Sequence, residues 1–217
     1  DFALNKSSVC LYDSVSVWST SIGISENTQY NWNFGIAAQP NGATGPGPHS
    51  VLFGSEGIKS IQLTIDEKSV DSVTKTIEVH NLASNILGPD QEICEGDSFV
   101  FTPNIVCTEY LWQDGSIMET YKANTSEVVS ISVIDENGCA IRDTAKILVQ
   151  PNPVIELGAD RPVCASEGED LTVGDFASYE WSTGEIASSI TVFSGSGTIS
   201  LTVTDWNNCT GSDQVTI

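Results

Sequence analysis

Cysteine is the residue that most plainly equips this chain for chemistry. The 217 residues hold six of them. Four fall in register: Cys94 to Cys139 and Cys164 to Cys209 each span 45 positions (139 − 94 and 209 − 164), and the two pairs lie 70 positions apart (164 − 94). Cys10 precedes them, and Cys107 has no counterpart in the last copy, where Ala177 takes its place. Sulfurs at repeated positions, in a chain with a single Met, point to disulfide chemistry in an oxidising compartment. A catalytic thiol would need a histidine base, and the only two, His49 and His80, both lie in the opening copy, within residues 1–82. No cysteine–histidine spacing matches a zinc site. The second reactive group is acidic. Asp66, Asp135 and Asp205 recur at one repeat position and Asp90 and Asp160 at another. Carboxylates gathered at repeat junctions would suit calcium, although no calcium-loop consensus accompanies them and Asp is equally the ordinary residue of turns.

A repeated frame holds these groups. Ile93-Cys94, Tyr110-Leu111-Trp112 and the stretch 132–139 are answered by Val163-Cys164, Tyr179-Glu180-Trp181 and the stretch 202–209. A more diverged copy opens the chain with Val9-Cys10, Tyr30-Asn31-Trp32 and Leu63-Thr64-Ile65-Asp66. A repeat of about 70 residues is a small domain in its own right, which predicts domains over 1–82, 83–151 and 152–217. Alternating apolar runs such as Ser14–Trp18, Ile58–Ile65, Ser189–Phe193 and Ser200–Thr204 read as strands with one buried face. Asp114-Gly115, Asn137-Gly138 and Thr183-Gly184 supply turns between strands. The expected fold class is all-β, three tandem antiparallel β-sandwiches arranged end to end, with Trp32, Trp112 and Trp181 in the cores. The short linkers Leu82–Asn85 and Gln150–Pro153 predict limited swing between neighbours. The first copy also carries an insertion from Gly35 to Ser50, rich in Gly and Pro, which reads as a surface loop that is either a tolerated excursion or a ligand contact.

The first copy, with Tyr30-Asn31-Trp32-Asn33-Phe34-Gly35, His49-Ser50-Val51 and Gly57–Ile65, resembles a PKD domain, departing from it at Ile36-Ala37 where an Asp-Gly pair is usual. The later copies, with Leu87-Gly88-Pro89-Asp90-Gln91 and Leu157-Gly158-Ala159-Asp160-Arg161 leading into cysteine, look like the Ig-like repeats of Bacteroidetes surface proteins. Such repeats are common in gliding-motility adhesins and in large cargo of the type IX secretion system. The resemblance implies an extracellular or cell-surface location, reached by secretion across the outer membrane, and a fragment of something longer. It also implies O-glycosylation after Asp, for which Ser14, Ser72 and Thr144 match.

Two disulfide patterns remain open. Each copy can close on itself, Cys94 with Cys139 and Cys164 with Cys209. Alternatively, in an Ig-type sandwich the first cysteine lies near the pole facing the next domain and the second at the opposite pole. A strand of six residues spans about 20 Å while bonded cysteines need Cα atoms within about 7 Å. That geometry favours Cys10 with Cys139 and Cys94 with Cys209, with Cys164 awaiting a further unit and Cys107 unpaired or competing for Cys139. The opening copy has Val70 where a second cysteine would stand, as expected for a unit with no predecessor. Trp206 replaces a small turn residue and should sit at a pole, either packed on the neighbouring domain or contacting a ligand; Trp18 is a second candidate aromatic.

Eight Lys and Arg against 29 Asp and Glu give a formal charge of −21, which excludes the clustered cations that nucleic acid or an anionic membrane would require. No apolar run approaches the length of a membrane span. The expectation is a non-catalytic extracellular stalk or adhesin segment without a resident cofactor, calcium at the junctions excepted. Its partners are other domains of the same large protein. The rival is a carbohydrate- or protein-binding module using the first-copy loop and Trp206.

Overall fold

The computed structural model describes residues 1–22, 25–66, 70–164 and 167–217. It is all-β, built of tandem β-sandwich domains, with no helix among the described residues. Nine strands form the first sandwich: β1 (Phe2–Leu4), β2 (Ser8–Cys10), β3 (Ser14–Ser19), β4 (Gln29–Asn33), β5 (Ala38–Gln39), β6 (Gly42–Thr44), β7 (His49–Phe53), β8 (Gly57–Asp66) and β9 (Val70–His80). One sheet runs β1-β3-β7-β5 and the other β2-β9-β8-β4-β6. Period-two alternation in β3, β4 and β8 turns Val15, Val17, Tyr30, Trp32, Ile61 and Leu63 inward, where they join Val51, Phe53, Ile77 and Val79. Phe2 meets the Trp32 ring edge-on at 5.2 Å.

The middle stretch contributes β10 (Gln91–Cys94), β11 (Phe99–Phe101), β12 (Cys107–Trp112), β13 (Tyr121–Ala123), β14 (Glu127–Asp135) and β15 (Ala140–Gln150). The last contributes β16 (Glu169–Thr172), β17 (Ser178–Trp181), β18 (Ser189–Val192), β19 (Thr198–Thr204) and β20 (Thr210–Thr216), in sheets β16-β18 and β17-β19-β20. Their inward residues, Leu171, Trp181, Ile190, Val192, Ile199, Leu201, Val203 and Val215, form a core with Leu157.

By compactness the chain resolves into two units. One comprises residues 1–87, 103–119 and 130–143; the other comprises 88–102, 120–129 and 144–217. The first unit holds the first sandwich, β12 and its antiparallel partner Ile131–Asp135, and the turn ending at Cys139. The second holds β10 paired in parallel with Ile147–Gln150, the β11–β13 pair and the last sandwich.

The stretch from Gly35 to Ser50 is not a plain surface loop. β5 pairs with β7 and β6 with β4, so the segment supplies an edge strand to each sheet of the first sandwich. Strands of two and three residues interrupted by Gly and Pro are too short to show alternation, which is why the sequence reads as loop. The segment also closes the core. Gly45 O accepts the Trp32 indole N–H at 2.8 Å and lies 3.1 Å from His49 Nε2. Trp112 and Trp181 are satisfied in the same way, by Met118 O and Ala187 O at 2.8 Å, and all three rings are buried. Gly47 has φ of 88°, and a Cβ there would stand 2.8 Å from Val17 O.

Gly47→Ala is therefore expected to destabilise the first sandwich by about 2 kcal/mol or more, combining left-handed strain with a backbone clash. Gly45→Ala, at φ of 88° with open space around its Cβ, should cost only about 1 kcal/mol. Urea unfolding followed by tryptophan fluorescence measures the difference.

Candidate functional site: the cysteine junctions

Two disulfides are present. Cys10 is bonded to Cys139 with Cα atoms 5.6 Å apart, and Cys94 to Cys209 with Cα atoms 5.4 Å apart. Each joins two kinds of socket that the fold builds repeatedly.

The first socket ends a parallel edge strand. β2 runs beside the last residues of β9, pairing Cys10 with His80, and β10 runs beside the end of β15, pairing Cys94 with Gln150. After each cysteine the chain stays tied to the same strand, through Leu11 N to His80 O and Glu95 N to Gln150 O, both 2.8 Å. It then turns sharply: Asp13 N donates to Cys10 O at 2.9 Å and Asp97 N to Cys94 O at 3.0 Å.

The second socket is a hairpin turn. Asp135 Oδ1 accepts the N–H groups of Asn137 (2.9 Å) and Cys139 (2.8 Å), and Asp205 Oδ1 accepts those of Asn207 and Cys209, both at 2.8 Å. The main chain closes the same turns, with Asp135 N to Cys139 O at 3.0 Å and Asp205 N to Cys209 O at 2.9 Å. The Asx geometry explains the recurrence of Asp four residues before cysteine: one short carboxylate satisfies two amides and aims the cysteine. Cys139 and Cys209 are both buried.

The self-closing alternative needs cysteines at one end of a sandwich. Arg161 N donates to Thr216 O at the far end of β20, whereas Cys209 immediately precedes its near end. Seven strand residues span about 23 Å, well beyond the roughly 7 Å a disulfide tolerates.

Four of the five repeated carboxylates accept main-chain N–H groups. Asp90 Oδ1 accepts Lys146 N and Asp160 Oδ1 accepts Thr216 N, both at 2.8 Å. Asp66 is exposed beside the undescribed residues 67–69. Among the described residues no three His, Cys, Asp or Glu side chains gather as a metal group. Of the five residues expected to suit calcium, Asp66, Asp90, Asp135, Asp160 and Asp205, the last four each engage one carboxylate oxygen with a main-chain N–H. Sequence reasoning missed Asp143 and Asp213 as structural residues. Asp143 Oδ2 accepts Leu87 N at 2.9 Å and Asp213 Oδ2 accepts Leu157 N at 2.6 Å, each pinning the segment that leads into its repeat. Their spacing of 70 was the available signal.

Cys107 and Cys164 carry free thiols, Cys107 half-buried and Cys164 exposed. Burial, with Asp135 beside it as a second cause, raises the Cys107 thiol above its ordinary pKa, and its Sγ lies 3.6 Å from Ile105 O. Trp206 is 77% exposed. Trp18 is half-buried on β3. Ser14, Ser72 and Thr144 all lie on strands, on β3, β9 and β15, with exposed side chains.

The linker at Gln150–Pro153 is held on both sides. Asn152 Nδ2 donates to Glu95 O at 3.0 Å, and Pro153 O lies where a Cβ on Gly211 would stand, 1.9 Å away.

No family model matches the chain, and no curated protein matches it in sequence. It is similar in fold to several solved structures. A tandem of titin domains I9–I11 is 10% identical, covered over 98% of its length by 100% of this chain, with a TM-score of 0.36. Fibronectin(III)-like modules of Clostridium thermocellum CbhA are 10% identical, with 70% of this chain covering 95% of theirs and a TM-score of 0.29. The Bacteroides ovatus mixed-linkage glucan utilization locus protein SGBP-B, solved with a mixed-linkage heptasaccharide, is 12% identical, with all of this chain covering 70% of it and a TM-score of 0.25. At such scores these likenesses bear on neither ligand nor partner.

Two outcomes follow from the junction geometry. Asp135→Ala should cost about 2 kcal/mol in denaturant unfolding, since it leaves two amides without an acceptor, one of them buried. Asp135→Asn, whose amide oxygen can still accept both, should cost clearly less. Iodoacetamide at neutral pH should label exposed Cys164 well before Cys107, because a raised thiol pKa leaves less thiolate, and Cys107 labelling should accelerate only as the pH rises past the ordinary thiol range. Peptide mapping over time measures both rates.

Proposed function

We propose that this chain is a non-catalytic extracellular stalk or adhesin segment of a larger surface or secreted protein, with sandwich domains over 1–82, 83–151 and 152–217. Its task is to space and stiffen that protein. The resemblance of 30–35, 87–91 and 157–161 to PKD and Bacteroidetes Ig-like repeats supports a place among gliding-motility adhesins or type IX secretion cargo. The disulfides support an oxidising, extracellular or cell-surface setting.

The observation that carries the reading is that the two disulfides overlap in sequence. The loop closed by Cys10 and Cys139 contains Cys94, and the loop closed by Cys94 and Cys209 contains Cys139. Two bonds drawn this way tie three repeats into one covalent mesh. Between the two sulfur bridges the chain then offers three parallel routes, 10–94, 94–139 and 139–209, and the shortest fixes how far the molecule can be drawn out. A pull from residue 1 to residue 217 can straighten only the end segments and 94–139, roughly 62 of roughly 216 residue steps. At about 3.4 Å per step that is about 200 Å, against more than about 700 Å with both bridges reduced. Self-contained loops would not cross-link one repeat to the next. A segment that carries tension between an anchor and a tip gains directly from such a limit.

The exposure of Trp206 favours the second reading, a carbohydrate- or protein-binding module. An aromatic side chain left open at a turn is a usable contact.

Pulling single molecules by their termini tests the proposal. Under oxidising conditions extension should stop near the short contour, and reductant should release the full length. Full extension without reductant would overturn the stalk mechanism. Retention of the chain on glycan-coated or cellular surfaces separates the readings: a Trp206→Ala variant that binds as the parent does supports the stalk, and loss of retention supports the binder.

A further inference from the structure

We infer that Cys164 is the open half of a third staple, whose partner is the turn cysteine of a further sandwich repeat carrying an Asp-x-x-x-Cys hairpin. The inference deepens the stapled-array reading and rests on it.

Three cysteines stand at one repeat position, and the structure gives all three the same turn. Asp13 N donates to Cys10 O at 2.9 Å, Asp97 N to Cys94 O at 3.0 Å, and Glu167 N to Cys164 O at 3.1 Å. The segment leading into Cys164 is also pinned like the one leading into Cys94: Asp160 Oδ1 accepts Thr216 N as Asp90 Oδ1 accepts Lys146 N. Arg161 N then donates to Thr216 O at 3.1 Å, continuing along the last strand of its own sandwich. Arg161 strengthens the hold, its Nη1 donating to Leu157 O and Ala159 O at 3.1 and 3.0 Å while Nε donates to Glu169. Cys164 thus shares with the filled sockets the turn that follows the cysteine, and with Cys94 the pinned lead-in, while the parallel strand pairing is present at Cys10 and Cys94 alone among the described residues.

Those two are filled by one kind of partner, a cysteine whose N–H is held by the Asp four residues before it. Cys10 takes Cys139 and Cys94 takes Cys209. Cys164 alone of the three keeps a thiol, and that thiol is exposed. Cys107, the other free thiol, does not share the motif: Asp97, Asp13 and Glu167 have no equivalent there, its Sγ faces Ile105 O, and the last repeat replaces it by Ala177.

Bond formation is a thiol–disulfide oxidation. The Cys164 thiolate attacks an oxidised small-molecule disulfide such as a glutathione-type oxidant, releasing one thiol. The turn cysteine, as thiolate, then displaces the second thiol to leave a protein disulfide. Two protein S–H bonds are lost, one S–S bond is gained, and the oxidant's disulfide is reduced to two thiols.

The test extends the complete chain in its own register. Residues 148–217 are appended directly after Ile217, which places a copy of the Cys209 turn 70 positions on. The extended chain is refolded with oxidised and reduced glutathione and mapped without reduction. The expected result is a peptide joining Cys164 to the copy of Cys209, with loss of the Cys164 alkylation seen in the unextended chain. A second extension by residues 78–147, which brings a copy of the Cys139 turn, should give the corresponding bond, so that one poorly folding extension does not decide the matter. If Cys10–Cys139 and Cys94–Cys209 are intact while Cys164 stays alkylatable in both, the inference is overturned and the stapled array stands. If those two bonds are themselves missing from the unextended chain, the array reading falls, and this inference with it.

Discussion

The geometry of this molecule turns on the reach of a disulfide set against the length of a strand. Bridged cysteines must bring their Cα atoms within about 7 Å, while a strand of seven to eleven residues runs about 23 to 36 Å. In the first sandwich, parallel pairing sets Cys10 beside His80, the last residue of β9. The position where a second cysteine would stand is Val70, at the other end of that strand. A sandwich built this way holds its two cysteine positions at opposite poles, so a cysteine at either pole must look to a neighbour. The overlap of the two loops follows from that constraint and from the periodicity of 70, without any further device.

Small sandwiches of this size bury too little apolar surface to be robustly stable alone. A bridge closing a loop of 129 or 115 residues removes unfolded-state freedom worth about 4 to 5 kcal/mol in the chain-entropy model. That is a large share of the stability expected of one domain. The formal charge of −21 opposes compactness through self-repulsion, and covalent ties offset it without adding apolar area. The repeated aspartates serve the same end locally. Asp135, Asp205, Asp143, Asp213, Asp90 and Asp160 all accept main-chain N–H groups. Part of the negative charge is therefore structural, spent on turns and on the segments that lead into each repeat.

The sequence made the period, the strand faces and the buried tryptophans legible because these are short-range patterns. Alternation over five residues tells which face is apolar, and Trp32, Trp112 and Trp181 are buried on strands. What it hid involves separations no local pattern encodes. β5 and β6 are too short and too rich in Gly and Pro to alternate, and they are strands only because β7 and β4 offer edges to pair with. Asp143 and Asp213 look like ordinary exposed strand residues until their partners, 56 positions away, are known. A repeat of acidic residues likewise fixes their number but not which of their oxygens hold main-chain N–H groups. Trp206, for which the sequence left both packing and ligand contact open, is exposed on the Asx turn.

The two sockets at each junction differ in how they could vary without harm. The hairpin socket depends on one side chain, the Asp that holds the cysteine amide, and it tolerates different residues between Asp and Cys: Glu136-Asn137-Gly138 in one turn and Trp206-Asn207-Asn208 in the other. Only the residue before cysteine is constrained, since Gly138 and Asn208 both take positive φ, of 79° and 64°. The edge-strand socket depends on main-chain pairing with the last strand of its own repeat and therefore on the whole sandwich being folded. A bridge formed between them links a hairpin turn of one repeat copy to an edge strand of another. The hairpin socket is therefore local, whereas the edge-strand socket needs segments distant in sequence, Cys10 with His80 and Cys94 with Gln150, to be paired by the sheet.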